Sequence, residues 1–249
     1  MNLRLWRTDL SLRVDDTGFD GIKLLQDTDA FCYGVDAVLL ADFAKAGPED
    51  TVLDLCSGNG AVAFILYAKY HPAKVCGLEL QEAAAGLAQE SAKLNGLSER
   101  ISFTCGDALD ISEHFSQGSF SLVVCNPPYF EDGRGVSCGS DPKHLARHES
   151  TAGLEDFFSA AEYALKAGGS LCMIHRPERL ADLMELSRRH GLEPKTMRMV
   201  VPSFGQAARQ VLLHFVKGAG KQLTVLAELA VREKDGSFTK EIERIYGRA

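Results

Sequence analysis

The stretch Thr51–Tyr70 does most to limit what this chain can fold into. Thr51-Val-Leu-Asp-Leu55 is an apolar run of strand length, Cys56-Ser-Gly-Asn-Gly60 is a tight glycine-rich turn, and Ala61–Tyr70 has a helical pattern. A strand that passes through a glycine turn into a helix is the first half of a nucleotide-binding unit. Parallel strands need helical crossovers of this kind, so the unit imposes an alternating α/β layering on the rest of the chain.

The alternation continues. Lys74–Glu79 reads as a second strand ending in an acid, and Gln81–Asn95 as an alanine-rich helix closed by Gly96. Ile101–Cys105 is a third strand, followed by Gly106-Asp107-Ala108. Phe120–Cys125 is a fourth, stopped by two prolines that cannot donate to a ladder. Residues 130–152 have no periodicity, and a loop of that length inside a domain is usually functional. A helix is predicted over Leu154–Lys166, ended by Gly168-Gly169, then a strand over Ser170–His175 and a helix over Arg179–His190. Thr196–Pro202 and Gln210–Val216 read as an antiparallel pair, Leu223–Val231 as a further strand and Thr239–Tyr246 as a short helix. Upstream, residues 1–30 alternate weakly and predict a strand or hairpin extension, and Asp36 is expected to cap a helix over Ala37–Ala46. The expected organisation is an extension over 1–30 and one domain over 31–249, with a mostly parallel sheet covered on both faces.

At 249 residues the chain buries a full core. No segment approaches the ~18 apolar residues of a membrane span, and the opening residues lack a signal-peptide pattern. Seven cysteines without a CxxC pair argue against a disulfide framework or a zinc site, so no metal and a reducing cytoplasm are expected. A net charge of −7 argues against nucleic acid, but its distribution does not. Residues 176–249 hold 14 of the 27 Lys+Arg and only 9 of the 34 Asp+Glu, a basic third beside an acidic body. Arg176, Arg179, Arg188, Arg189, Lys195 and Arg198 are therefore candidates for phosphate contacts.

The glycine turn itself excludes some ligands. It lacks the G-x-G-x-x-G spacing of a dinucleotide fold and the Lys-Ser/Thr of a P-loop. Asp54 just before it would repel phosphate and attract an ammonium group. S-adenosylmethionine suits that chemistry, having no phosphate, a cationic sulfonium, an amino-acid head and an adenosine. Glu79 can accept both ribose hydroxyls, Asp107 can accept from the adenine amine, and the Ala108 N–H can face the ring. Cys56, Ser57, Gly58 and Gly60 of the turn, Leu80 beside Glu79, and Asn126 complete the candidate cofactor set.

Asp54–Gly60, Glu79, Asp107 and Asn126-Pro-Pro-Tyr129 resemble motifs I to IV of the class I S-adenosylmethionine-dependent methyltransferases. Further segments narrow the likeness: Phe31-x-Tyr-Gly-x-Asp-Ala-x-Leu-Leu-Ala41, Asn126-Pro-Pro-Tyr-Phe130 and Ala146-Arg-His-Glu149. Together they resemble the bacterial tRNA(Val) adenine-N6 methyltransferase family over about residues 20–245. That likeness implies a Rossmann-like domain with a mostly parallel seven-stranded sheet and helices on both faces. It also implies a tRNA partner engaged at its anticodon stem-loop, and places Tyr33 and Asp36 at the methionine end of the cofactor.

The acceptor chemistry can be read from the residues. An adenine amine is a poor nucleophile because its lone pair is delocalised. The Asn126 side-chain oxygen and the Pro127 carbonyl can accept its two N–H bonds, and preorganised dipoles act without reorganisation. Tyr129 can stack on the base, with Phe130 extending that surface. Arg147 and Arg176 are candidate RNA contacts. Two alternatives stay open: a protein glutamine amide as acceptor, and a cofactor-binding scaffold without turnover. Oligomeric state is not legible.

Overall fold

Strands built from unbroken Val, Leu and Ile must be covered on both faces, and the architecture meets that demand. The computed structural model describes residues 12–28, 33–128 and 153–248. In chain order the strands are β1 (Leu12–Asp16), β2 (Lys23–Asp27), β3 (Thr51–Leu55), β4 (Lys74–Glu79), β5 (Ile101–Cys105), β6 (Phe120–Cys125), β7 (Leu165–His175), β8 (Leu192–Ser203), β9 (Gln210–Lys217), β10 (Thr224–Val225) and β11 (Leu229–Arg232). The helices are α1 (Val35–Ala44), α2 (Ala61–Tyr70), α3 (Glu82–Leu94), α4 (Ile111–His114), α5 (Leu154–Ala164), α6 (Leu180–Arg189) and α7 (Lys240–Ile245).

The main sheet runs β10-β8-β9-β7-β6-β3-β4-β5, with β11 also on the free edge of β8. Strands β3 to β9 are the seven expected; β10 and β11 add two short strands parallel to β8. Only β9 runs against its neighbours. Alternate side chains feed two cores. Val52, Leu122, Val124 and Ile174 face Leu39 and Leu40 of α1 and Phe64 and Ile65 of α2. Leu53, Val123, Met173 and Leu213 face Phe157 and Phe158 of α5 and Leu183 of α6.

The predicted hairpin is present as β1–β2, antiparallel and outside the main sheet. It joins the first core through Phe19, Ile22 and Leu24. Asn95 at the end of α3 clasps it, accepting from the Lys23 N–H at 2.9 Å and donating to the Lys23 carbonyl at 2.7 Å.

Three local expectations change. Gly34 caps α1, and Asp36 lies inside its first turn, where a carboxylate favours the helix dipole. The helix begun at Leu154 gives way to strand at Leu165, before the Gly168-Gly169 pair. That pair sits in an irregularity of β7 between the residues that pair with Phe120 and Leu122. A Cβ on Gly169 would meet the Lys166 carbonyl oxygen at 2.9 Å, so the close backbone approach requires glycine there. Finally, Leu223–Val231 is two short strands rather than one, because Leu226–Glu228 leave the ladder between β10 and β11.

Candidate active site

The chain winds from β3 through β4 to β5, then crosses back to place β6 on the other side of β3. The crevice beyond the carboxyl ends of β3 and β6 is therefore a topological switch point, where open α/β sheets bind ligands. Register puts Leu55 beside Cys125, so the glycine turn and Asn126 leave the sheet side by side. Glu79 pairs on the far flank with Cys105, the last residue of β5 before the Gly106-Asp107 segment. The sheet edge thus carries Asp107, Glu79, the Cys56–Gly60 turn, Asn126 and then Arg176 after β7, in that spatial order.

The turn is held from several sides. The Cys56 and Ser57 N–H groups both donate to the Leu78 carbonyl at 3.0 Å, which fixes Cys56 in the left-handed region (φ +67°). A non-glycine residue there is strained and persists only when its surroundings over-determine it. Glu79 Oε2 accepts from the Gly58 N–H at 2.8 Å and Oε1 from the Gln81 N–H at 2.9 Å. Gly60 adopts φ +85° against Phe103, whose Cζ would lie 2.6 Å from any added Cβ. Gly77 on β4 is equally confined: an added Cβ would collide with the Phe103 ring and lie 2.7 Å from Ser57 Oγ.

The acids beside the turn are buried. Asp54 is 1% exposed, and its Oδ2 accepts from the Ala63 N–H at 3.1 Å. Its Oδ1 and the Ser57 hydroxyl are buried with no hydrogen-bond partner among the described residues. Buried polar atoms are rarely left so. Burial pushes the Asp54 carboxyl up to about 8, the Ala63 N–H pulling it down and the Glu79 charge adding to the rise. Burial likewise raises Glu79, against the N–H bonds from Gln81, Gly58 and Leu80. The Cys56 thiol is pushed well up by the Cys125 thiol beside it and by burial, so it is no nucleophile.

Asp107 caps the turn that follows β5, accepting from the Leu109 N–H at 3.0 Å. Leu80 and Leu109 are 43% and 42% exposed, and each stands close after one of the two acids. Leu109 is a candidate that pattern reading missed; one leucine after an acid carries no signal until the fold shows it exposed. Ala108 and Leu109 also line an open pocket of about 250 Å³ together with Ser159 and Tyr163 of α5. Tyr33 is partly buried against the first core, near the hairpin carboxylates Asp15 and Asp16, which add to the upward push of burial on its phenol. Tyr246 after α7 sits close enough to Tyr33 and Asp36 to feel their charge, a juxtaposition nothing in the spacing announces. Asn126 is half-buried, Pro127 buried and Pro128 exposed. Tyr129, Phe130 and Arg147 lie outside the described residues.

Most of the basic candidates are engaged internally. Arg198 forms a two-pronged pair with Glu241 at 2.8 Å, Arg188 pairs with Glu193, and Arg189 with Glu155 and Glu185. Arg179 bonds to Asp182 and Lys195 to the Gly220 carbonyl. Arg176 is exposed at the end of β7.

A sheet wound in this order, with acids after consecutive strands and an amide at the switch point, defines a class I S-adenosylmethionine-dependent methyltransferase. A family model described as a methyltransferase domain matches residues 46–205. Among curated relatives, a tRNA1(Val) (adenine(37)-N6)-methyltransferase of Porphyromonas gingivalis is 34% identical over 68% of this chain and 68% of its own length. One of the same name from Serratia proteamaculans is 28% identical over 91% of this chain and 86% of its own. The chain belongs to this family of tRNA1(Val) (adenine(37)-N6)-methyltransferases. Two solved structures share its fold. A predicted O-methyltransferase from Agrobacterium tumefaciens has a TM-score of 0.70 and 24% identity over 86% of this chain and 97% of that one. TrmN from Thermus thermophilus has a TM-score of 0.52 and 26% identity over 73% and 48%. No helix among the described residues is long and apolar enough to cross a membrane, and no group of ligating side chains there could hold a metal ion.

Proposed function

We propose that this enzyme methylates N6 of an adenine in tRNA, at the position just 3′ of the anticodon, and that it engages the anticodon stem-loop. The observation that carries the reading is the adjacency of the glycine turn and Asn126 at the switch point, in a chain whose relatives bear that activity as their name. S-adenosylmethionine, when bound, supplies a methyl group on a cationic sulfur.

The protein's own groups do the rest. Asp54 and Ser57 offer the unpartnered oxygens to the amino-acid head, with Tyr33 and Asp36 at the same end. Glu79 keeps a further lone pair on each oxygen for the ribose hydroxyls, while its present bonds hold the turn in shape. Leu80 and Leu109 cover the faces of the purine, and Asp107 with the Ala108 N–H reads its edge. Asn126 Oδ1 and the Pro127 carbonyl accept the two N–H bonds of the target amine and turn its lone pair out of the ring plane. The buried Pro127 holds that carbonyl still. Tyr129 stacks on the target base, which must be splayed out of the loop to reach it. No strong base is needed, since the methylated amine loses its proton readily. Beyond Arg176, the exposed Phe204 and Arg209 of the β8–β9 turn lie on the same edge of the sheet.

The test is methyl transfer from labelled S-adenosylmethionine to RNA from cells lacking this gene, followed by nucleoside analysis. Labelled N6-methyladenosine in tRNA, lost in Asn126→Ala, is the expected result. Label in protein with none in RNA would overturn it in favour of a glutamine acceptor.

A further inference from the structure

Strand β2 carries a polar residue where a core residue belongs. Its side chains alternate, and Leu24 and Gln26 are the two that point inward, at 0% and 2% exposure. A buried amide costs stability unless its bonds are made, and those of Gln26 are made to three separate segments. Its Oε1 accepts from the Tyr33 N–H at 3.2 Å and from Asn59 Nδ2 at 3.2 Å, and its Nε2 donates to Asp15 Oδ2 on β1. The orientation of the amide is fixed by its partners, since a backbone N–H can only donate and a carboxylate can only accept.

These three partners are not interchangeable. Asn59 stands between Gly58 and Gly60 in the glycine turn. Tyr33 lies on the segment that enters α1. Asp15 belongs to the hairpin, which is anchored independently: the Leu25 N–H donates to Ser91 Oγ at 2.9 Å, and Asn95 clasps Lys23. One amide thus links a fixed hairpin to two pieces of chain that no ladder or helix holds, a glycine turn and a helix entry. It does so through Asn59, a residue of the turn that Glu79 does not bond.

We propose that Gln26 is a positioning residue for the cofactor, through which the hairpin sets the Asn59 side of the glycine turn and the Tyr33 segment in their binding geometry. This rests on the assignment of the Cys56–Gly60 turn to S-adenosylmethionine. Gln26 touches neither cofactor nor acceptor; it acts through Asn59 and Tyr33. The hairpin is on this account part of the binding machinery.

The test is calorimetric affinity for S-adenosylhomocysteine, with KM and kcat for both substrates and melting temperatures alongside. Gln26→Leu keeps the volume and removes the bonds. It is expected to weaken S-adenosylhomocysteine binding about tenfold, the worth of one or two net hydrogen bonds. The KM for S-adenosylmethionine should rise in step, with kcat and the KM for RNA little changed. Asn59→Ala should lose a similar factor, and the double variant no more than the larger single loss, because both break one path. Gln26→Glu sets a carboxylate against Asp15 and should bind poorly. Adding Asp15→Asn supplies an amide donor opposite the new carboxylate and should return affinity to within about twofold of wild type. Should Gln26→Leu fail to fold, this charge-swapped pair decides the matter. Wild-type affinity in folded Gln26→Leu would overturn the proposal, as would additive losses in the double variant or failure of Asp15→Asn to restore Gln26→Glu. A wild-type protein that does not bind S-adenosylhomocysteine would instead overturn the cofactor assignment of the turn.

Discussion

At Asp54 the proposed cofactor role and the stability of the fold pull in opposite directions. Burial disfavours its charge and pushes the carboxyl of the folded chain up to about 8, well above its ordinary value. Between those two values the folded chain holds a proton that the unfolded chain does not, so stability falls as pH rises from about 4 to 8. Asp54→Asn removes that dependence. Thermal melts of cofactor-free protein should show the variant gaining on wild type as pH is raised from about 5 to 8, while its affinity for S-adenosylhomocysteine drops. A cationic ligand beside Asp54 should draw the proton off, so titrations in buffers of different ionisation enthalpy should register proton release on binding S-adenosylmethionine. Gly77→Ala acts through volume alone. Its Cβ would press on Phe103 and Ser57, and overpacking of this kind costs about 1–3 kcal/mol. The expected outcome is a lowered melting temperature together with weaker cofactor binding, since the displaced Ser57 belongs to the turn.

Among the elements, α7 tests whether the C-terminal helix matters to the site. Thr239 caps it, accepting from the Ile242 N–H at 3.3 Å and donating to the Ala230 carbonyl at 2.8 Å. Tyr246 beyond it stacks on Phe19 and Phe238 at centroid distances of 6.3 and 6.1 Å. Thr239→Ala should cost about 1 kcal/mol, the usual value of a lost cap. In a chain of this size that lowers the melting point by roughly 2–4 °C. Element boundaries are also where pattern reading reached its limit. The helix over Leu154–Ala164 announces itself by Phe157, Phe158 and Ala161, yet its end is set by the sheet. Leu165 pairs with Phe120 and the ladder resumes only at Ser170, so Gly168-Gly169 marks a register shift in the strand and not the stop of the helix.

The whole molecule decides where RNA can sit. Strands β7 and β8 run in the same sense with β9 between them, so the β8–β9 turn emerges on the same edge as Asn126. Three strand spacings of about 4.8 Å set it roughly 14 Å to the side, and β8 runs on from Met197, which is level with Cys125, to Ser203 before turning, so the turn also stands roughly 20 Å further along the strand direction, above the crevice mouth. That turn exposes Phe204 at 58%, and Arg209 makes no ion pair among the described residues, unlike most arginines of the basic third. Arg209→Glu should raise the KM for tRNA several-fold and flatten its dependence on salt, leaving S-adenosylhomocysteine affinity unchanged. Charge-reversing Arg188 or Arg198 should instead act on stability, because each neutralises a glutamate of its own chain.

Read without coordinates, the chain already declares its α/β alternation, the glycine turn, the acids at strand ends and the Asn-Pro-Pro corner. These are local features, written in apolar runs and in residues that stop a strand or permit a tight turn. It does not declare that β6 returns to the far side of β3, because strand order depends on which crossovers pack, a property of the assembled sheet. Folding in three dimensions is what makes Asp54 dry, exposes Leu80 and Leu109 beyond the strand ends, pairs the basic third largely with itself and brings Gln26 to the glycine turn. Each of these depends on residues far apart in the chain, and burial, pairing and charge shifts exist only once such residues meet.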